Sequence, residues 1–146
     1  MTYDGEPAMK LERYLARGER KYEFETCVEK KDRKIVKTLP LFDRLADYSA
    51  NGVSTEKKKA DLAYSFVFAL IEEMVEIAAD TCVGNDIPYI GSDVSYDIPI
   101  VRMTEELVKE KELKFLTHDR NGDDGISIGQ NVVVGHLNKL SFTKKV

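Results

Sequence analysis

The stretch from Glu56 to about Ala79 sets the terms for the rest of the chain. Leu62, Phe66, Leu70, Met74 and Ile77 recur three or four residues apart, the spacing of one helical face. Val67, Phe68 and Ile71 widen that stripe until the middle is apolar almost all round. A helix of this kind cannot lie on a surface, so the pattern predicts a central buried helix with the other elements packed around it. Ser54 or Thr55 supplies an N-cap. The triple basic run Lys57, Lys58 and Lys59 has no aromatic interleaving and reads as a solvated helix start.

The segments on either side are short and well punctuated. Pro7 suits a first helical position, Met9, Leu11, Tyr14 and Leu15 form an apolar face up to about Arg17, and Gly18 stops that helix. Tyr22, Phe24 and Thr26 then alternate with charged residues, and a polar turn at Lys30–Arg33 precedes Ile35 and Val36, which predicts a β-hairpin. Pro40 opens a short helix carrying Leu41, Phe42, Leu45 and Ala46 that ends near Asn51-Gly52. Beyond the long helix, Asp86 to Ile90 reads as a strand with Pro88 near its beginning. A Gly91–Asp97 turn follows, then a helix from Ile98-Pro99 with Met103, Leu107 and Val108 inward, and a strand at Leu113, Phe115 and Leu116. This order predicts an α/β unit of two layers, a small mixed sheet packed against the long helix.

Size and charge narrow the function classes. A chain of 146 residues is one domain or half of a larger one, able to bury about 70% of its unfolded surface. It is 33% charged with a net charge of -4, a balance that argues against nucleic-acid binding. The longest apolar run falls far short of the ~20 residues that span a bilayer, and the Met1 end lacks a signal pattern. Cys27 and Cys82 form no CxxC pair and read as free structural thiols in a reducing cytoplasm.

The densest chemistry lies in Thr117–Gln130, THDRNGDDGISIGQ. Three carboxylates (Asp119, Asp123, Asp124) and three glycines (Gly122, Gly125, Gly129) make a shaped turn ahead of the apolar run Ile126 to Leu137. Such a corner suits a cation or a cation-bridged phosphate. From Asp119, the loop Asp119–Gln130 places oxygen ligands near the one, three and five positions of an EF-hand, but Asp124 stands where the sharp turn wants Gly and Gln130 where a bidentate Glu belongs. That reading also requires one entering helix from Met103 to Thr117. His118 reads as a surface residue and His136 as structural.

Read from its other end, GDDGISIGQ resembles the Gly-Asp-Gly-Gly-Ile-x-Leu-Gly-Gln signature of the hydrogenase maturation carbamoyltransferases, the HypF family. Tyr3-Asp-Gly-Glu-Pro-Ala with Leu11-Glu12 resembles that family's Tyr-Glu-Gly-Glu-Ala-Ala-x-x-Leu-Glu segment. Gly91-Ser92-Asp93-Val94-Ser95-Tyr96-Asp97 matches its Ser-Gly-Gly-Val-x-x-Asn turn, in the same order along the chain. The resemblance implies the C-terminal lobe of an actin-like ATPase (ASKHA) domain. It implies a nucleotide cleft lined by Gly5, Glu6, Gly91, Ser92, Asp93, Asp97 and Gly125, with Asp123 as ligand to a divalent metal (Zn, Fe or Mg). It further implies ATP-dependent carbamoyl transfer, from carbamoyl phosphate through a carbamoyl-adenylate, to the C-terminal cysteine of a HypE-like partner, with an N-terminal lobe completing the site and the single lobe inactive alone.

Three departures bear on the chemistry. Asp93 and Asp124 replace glycines, and Val67 follows Ala63-Tyr-Ser-Phe66 where the family has a histidine. A carboxylate 4 Å from a phosphate oxygen costs roughly 4 kcal/mol in the intermediate dielectric of a protein surface, unless a cation intervenes. Two other readings therefore stand beside the carbamoyltransferase lobe: a calcium-binding module built on Asp119–Gln130, and a non-catalytic interaction domain that forms a homodimer through an exposed apolar face.

Overall fold

The computed structural model describes residues 5–30, 32–91 and 97–116. Four helices and four short strands follow in the order α1 (Glu6–Leu15), β1 (Cys27–Lys30), β2 (Lys34–Lys37), α2 (Leu39–Ala50), α3 (Glu56–Gly84), β3 (Tyr89–Gly91), α4 (Ile98–Glu110) and β4 (Lys114–Leu116). α3 is the axis. Its 29 residues extend roughly 43 Å at about 1.5 Å per residue. Thr55 caps it, its hydroxyl accepting from the Lys58 N–H at 3.2 Å. The lysines at its start are solvated as expected, Lys57 pairing with Asp61 and Lys59 with Glu56.

The core lies on one side of α3, where Val67, Ile71 and Val75 meet Leu15 of α1 and Met103, Leu107 and Val108 of α4. Ile90 and Phe115 of the two C-terminal strands pack against this cluster. The three inward residues expected of α4 are all buried. The stripe expected to be inward on α3 is not: Leu62 is buried, Phe66, Leu70 and Ile77 are half-buried, and Met74 is 57% exposed. The helix is apolar on two sides, and α4 with its strands covers the side carrying Val67, Ile71 and Val75.

A single mixed sheet is also not what forms among the described residues. β1 and β2 pair antiparallel with Val28 opposite Val36, while β3 and β4 make a separate parallel pair with Gly91 opposite Leu116. Tyr22, Phe24 and Thr26 alternate as a strand should but join neither sheet. Their segment, 18–26, is a strap held along α3 by side chains. The Ser65 hydroxyl accepts from the N–H groups of Lys21 and Tyr22 at 3.0 and 3.1 Å and donates to the Asp61 carbonyl at 2.7 Å. One carboxylate oxygen of Asp61 accepts the Glu19 N–H at 2.9 Å. Glu19, Lys21 and Tyr22 thus give their N–H groups to α3 side chains rather than to a neighbouring strand. The rings of Tyr22 and Phe24 instead meet Tyr48 edge-on, and Phe24 also meets Phe66.

Asp61 is 7% exposed, and the Lys57 ammonium at 2.9 Å holds its carboxyl below the usual carboxylate range, with the Glu19 N–H acting in the same direction. A carboxyl depressed by folding contributes stability that is present above its unfolded-state pKa and disappears as pH falls through the folded-state value. Asp61→Asn is therefore expected to be less stable than the parent at pH 7, the gap closing below the ordinary carboxylate range. Urea midpoints measured from pH 7 to pH 2 for both proteins check this, and a gap that stays constant with pH rules it out.

β3 and β4 start in the same way. Asp86 after α3 and Glu112 after α4 both take left-handed backbone angles, with φ of 56° and 59°. Ile87 N–H then bonds back to the Cys82 carbonyl at 2.9 Å and Leu113 N–H to the Val108 carbonyl at 3.2 Å, the six-to-one bond of a Schellman C-cap. This turn is why the strand expected from Asp86 begins only at Tyr89. It also overturns the entering helix that an EF-hand needs, because α4 ends at Glu110 and Lys114–Leu116 is a strand.

Candidate nucleotide site

Parallel pairing of β3 with β4 sets side by side the residues from which the two chemistry-bearing segments start. Gly91, where the Gly91–Asp97 turn begins, is the register partner of Leu116, the residue before the acidic Thr117–Gln130 stretch. Both segments therefore leave the carboxyl edge of one parallel pair, the place where open α/β sheets bind their ligands. Ser92, Asp93, Asp123 and Gly125, together with His118, His136 and the Asp119–Gln130 loop, lie outside the described residues.

Asp97 ends the turn and starts α4. Its carboxylate accepts the Ile100 N–H at 3.1 Å, and its carbonyl accepts the Val101 N–H at 3.0 Å. Pro99 has no N–H to offer. Of the first-turn donors only that of Ile98 is left without one of these partners, and a negative charge already sits on the positive end of the helix dipole. The start of α4 is thus a poorer anion cradle than a strand, turn and helix normally provide. It suits a cation with its phosphate better than a bare phosphate.

α1 forms the other wall. Gly5 is its N-cap, the Gly5 carbonyl accepting from the Met9 N–H at 3.2 Å, and Glu6 in the first turn pairs with Lys10 at 2.7 Å. Near the end of α1 the Tyr14 hydroxyl bonds Glu56 at the start of α3 at 3.1 Å. Between α1 and α4 opens a cleft of about 360 Å³ lined by Glu12, Leu15, Gly18, Tyr64, Pro99 and Arg102, among others. Burial, with Glu106 nearby, pushes the Tyr64 phenol up. Reading the sequence overlooked Arg102 and Tyr64; the signal was there in Pro99, Arg102 and Glu106, spaced to share one face of α4. Among the described residues no three His, Cys, Asp or Glu side chains converge as a metal site.

The family model for the second subdomain of the Kae1-like carbamoyltransferase domain, HypF_C_2, matches residues 1–130. The chain belongs to this family. It is also similar to HypF of T. kodakarensis as seen in its crystal structure, at 28% identity and a TM-score of 0.70 over 87% of this chain. The match covers 16% of that HypF chain, so the present sequence spans about a sixth of its relative's length. A comparison with curated proteins finds no significant match. Within the Kae1-like subdomain, Val67 is 8% exposed and packs in the core cluster. Both cysteines are free, Cys82 buried and Cys27 exposed. No described helix is long and apolar enough to cross a membrane.

Proposed function

We propose that the chain is the nucleotide-binding lobe of a carbamoyltransferase domain of actin-like ATPase architecture, acting in nickel-iron hydrogenase maturation in the cytoplasm. The observation that carries this reading is the Gly91–Leu116 pairing, which starts both family motifs from one sheet edge. Gly5, Glu6, Gly91, Ser92, Asp93, Asp97 and Gly125 line the nucleotide side. Asp123 holds a divalent cation, Zn, Fe or Mg, which neutralises the charge that Asp93 and Asp97 would otherwise set against the phosphates. In this role Gly91 lets backbone approach the nucleotide, and Asp97 fixes the start of α4. The cation, when bound, supplies positive charge to the phosphates.

The complete reaction transfers a carbamoyl group from carbamoyl phosphate, through a carbamoyl-adenylate, to the C-terminal cysteine of a HypE-like partner. It requires the other lobe, and the present chain alone binds nucleotide without turning it over. Calorimetric titration with ATP tests this. Saturable binding is expected with Mg or Zn, with little or none in EDTA, and Asp123→Ala is expected to weaken it tenfold or more. Silence with every metal, or equal binding in EDTA, overturns the nucleotide assignment.

A further inference from the structure

Three side chains of α3 grip the segment that follows α1, and all three grip it by its backbone. Lys57, Asp61 and Ser65 stand four residues apart on one face of the helix. The Lys57 ammonium donates to the Arg17 carbonyl at 2.9 Å, the Asp61 carboxylate accepts the Glu19 N–H at 2.9 Å, and the Ser65 hydroxyl accepts from Lys21 and Tyr22. The three are also tied to one another, Lys57 to the Asp61 carboxylate at 2.9 Å and the Ser65 hydroxyl to the Asp61 carbonyl at 2.7 Å. Ser65 is 2% exposed, with its one hydrogen and both lone pairs engaged. Beside this clasp Gly18 passes the Ala60 carbonyl with no room for a Cβ.

α1 is therefore fixed by its tail. Arg17 follows the C-cap Ala16, where an ammonium suits the negative end of the helix dipole. Leu15 is the one buried residue of the helix, and Tyr14 bonds Glu56. Toward the head, Pro7, Ala8, Met9 and Lys10 are exposed. The helix projects about 13 Å from Leu15 to Glu6, so a tilt of roughly 10° at the tail carries the head through ~2 Å. A binding constellation tolerates about 0.5 Å.

We propose that Lys57, Asp61 and Ser65 are positioning residues for the nucleotide site: by gripping the strap they set the angle of α1 and with it the place of Gly5 and Glu6. The inference rests on the nucleotide-binding lobe proposed for the chain. The three act through α1 rather than by touching the ligand. With the clasp open the head samples positions that cannot bind, and apparent affinity falls with the fraction of chains left competent. The coupling is reciprocal, so bound nucleotide in turn favours the closed clasp.

Ser65→Ala tests this, since it cuts the clasp while placing the best helix former in α3. Calorimetric titration with ATP and Mg is expected to show affinity about tenfold below the parent, and amide exchange to show α1 opening faster with α4 unchanged. ATP is expected to slow that added α1 exchange, a response that a purely structural role does not give. Lys57→Met, at a side chain 54% exposed, gives a smaller loss in the same direction and serves where Ser65→Ala does not fold. Leu41→Ala, at a fully buried residue of α2, is the control, expected to lower the melting temperature and leave ATP affinity at the parent value. With a parent that binds ATP, the proposal is overturned by parent-like affinity in the clasp variants, by exchange that rises evenly in every helix, or by α1 exchange that ATP does not slow. A parent silent toward ATP removes the nucleotide assignment itself, and the proposal falls with it.

Discussion

Gly18→Ala is expected to destabilise the protein by about 3 kcal/mol or more, near the upper end for overpacking, lowering the melting temperature by roughly 10 °C at ~2–4 °C per kcal/mol. The cause is space. A Cβ on Gly18 would lie 2.3 Å from the Ala60 carbonyl oxygen and 2.5 Å from the Tyr64 Cβ. Two of its three closest neighbours are backbone atoms of α3, which cannot swing aside as the end of a flexible side chain can. Either α1 and the strap lift off α3 or the helix bends. Thermal melting of the variant measures the loss, and a change under 1 kcal/mol would mean that the strap does not lie against α3 this closely.

The second large effect is expected at Leu15. It is the one buried residue of α1, 2% exposed, and part of the cluster with Met103 and Val108. Leu15→Ala removes three heavy atoms from a packed site that closes incompletely, at a cost of about 3 kcal/mol. The consequence is local as well as global, because α1 has no other buried side chain to hold it. Amide exchange in α1 is expected to speed up more than exchange in the middle of α3. On the proposed assignment ATP affinity falls with it, since Gly5 and Glu6 lose their fixed position. Uniform acceleration across all helices would contradict an α1 anchored chiefly through this residue.

How much of this was legible depends on whether the relevant physics is local. Pro40, Thr55 and Ile98-Pro99 marked three helix starts correctly, because such start signals are written within the first turn. The apolar alternation at Leu113–Leu116 gave β4, and its separation from α4 removed the entering helix that the calcium-loop alternative needs. The misreadings all turn on long-range partners. Tyr22–Thr26 has the pattern of a strand, but Ser65 and Asp61, more than 40 residues away, hold the chain just ahead of it through the N–H groups of Glu19, Lys21 and Tyr22. Met74 sits in a well-formed stripe that no periodicity argument can assign to the covered or the open side of a helix apolar on both. For the site, sequence supplied the three motif segments and their order. It did not supply the register of β3 on β4 that sets the starting points of two of them side by side, nor the commitment of the Asp97 carboxylate to the start of α4.

The clasp between Ser65, Asp61 and the strap also fixes an order of assembly. β1 and β2 pair across a short turn and can form in microseconds, and a helix with the apolar content of α3 gains from any early contact. The strap cannot bind until the turn at Asp61–Ser65 exists, and its hydrogen bonds close loops of more than 40 residues, an entropic cost met late in folding. α1, joined to α3 through the strap, one buried leucine and the Tyr14–Glu56 hydrogen bond, is then expected to arrive late and to be released early. In the folded protein its release is a sub-global opening, with a free energy below that of complete unfolding. Glycine and glutamate at the head of α1 thus stand on the part of the molecule whose departure takes least.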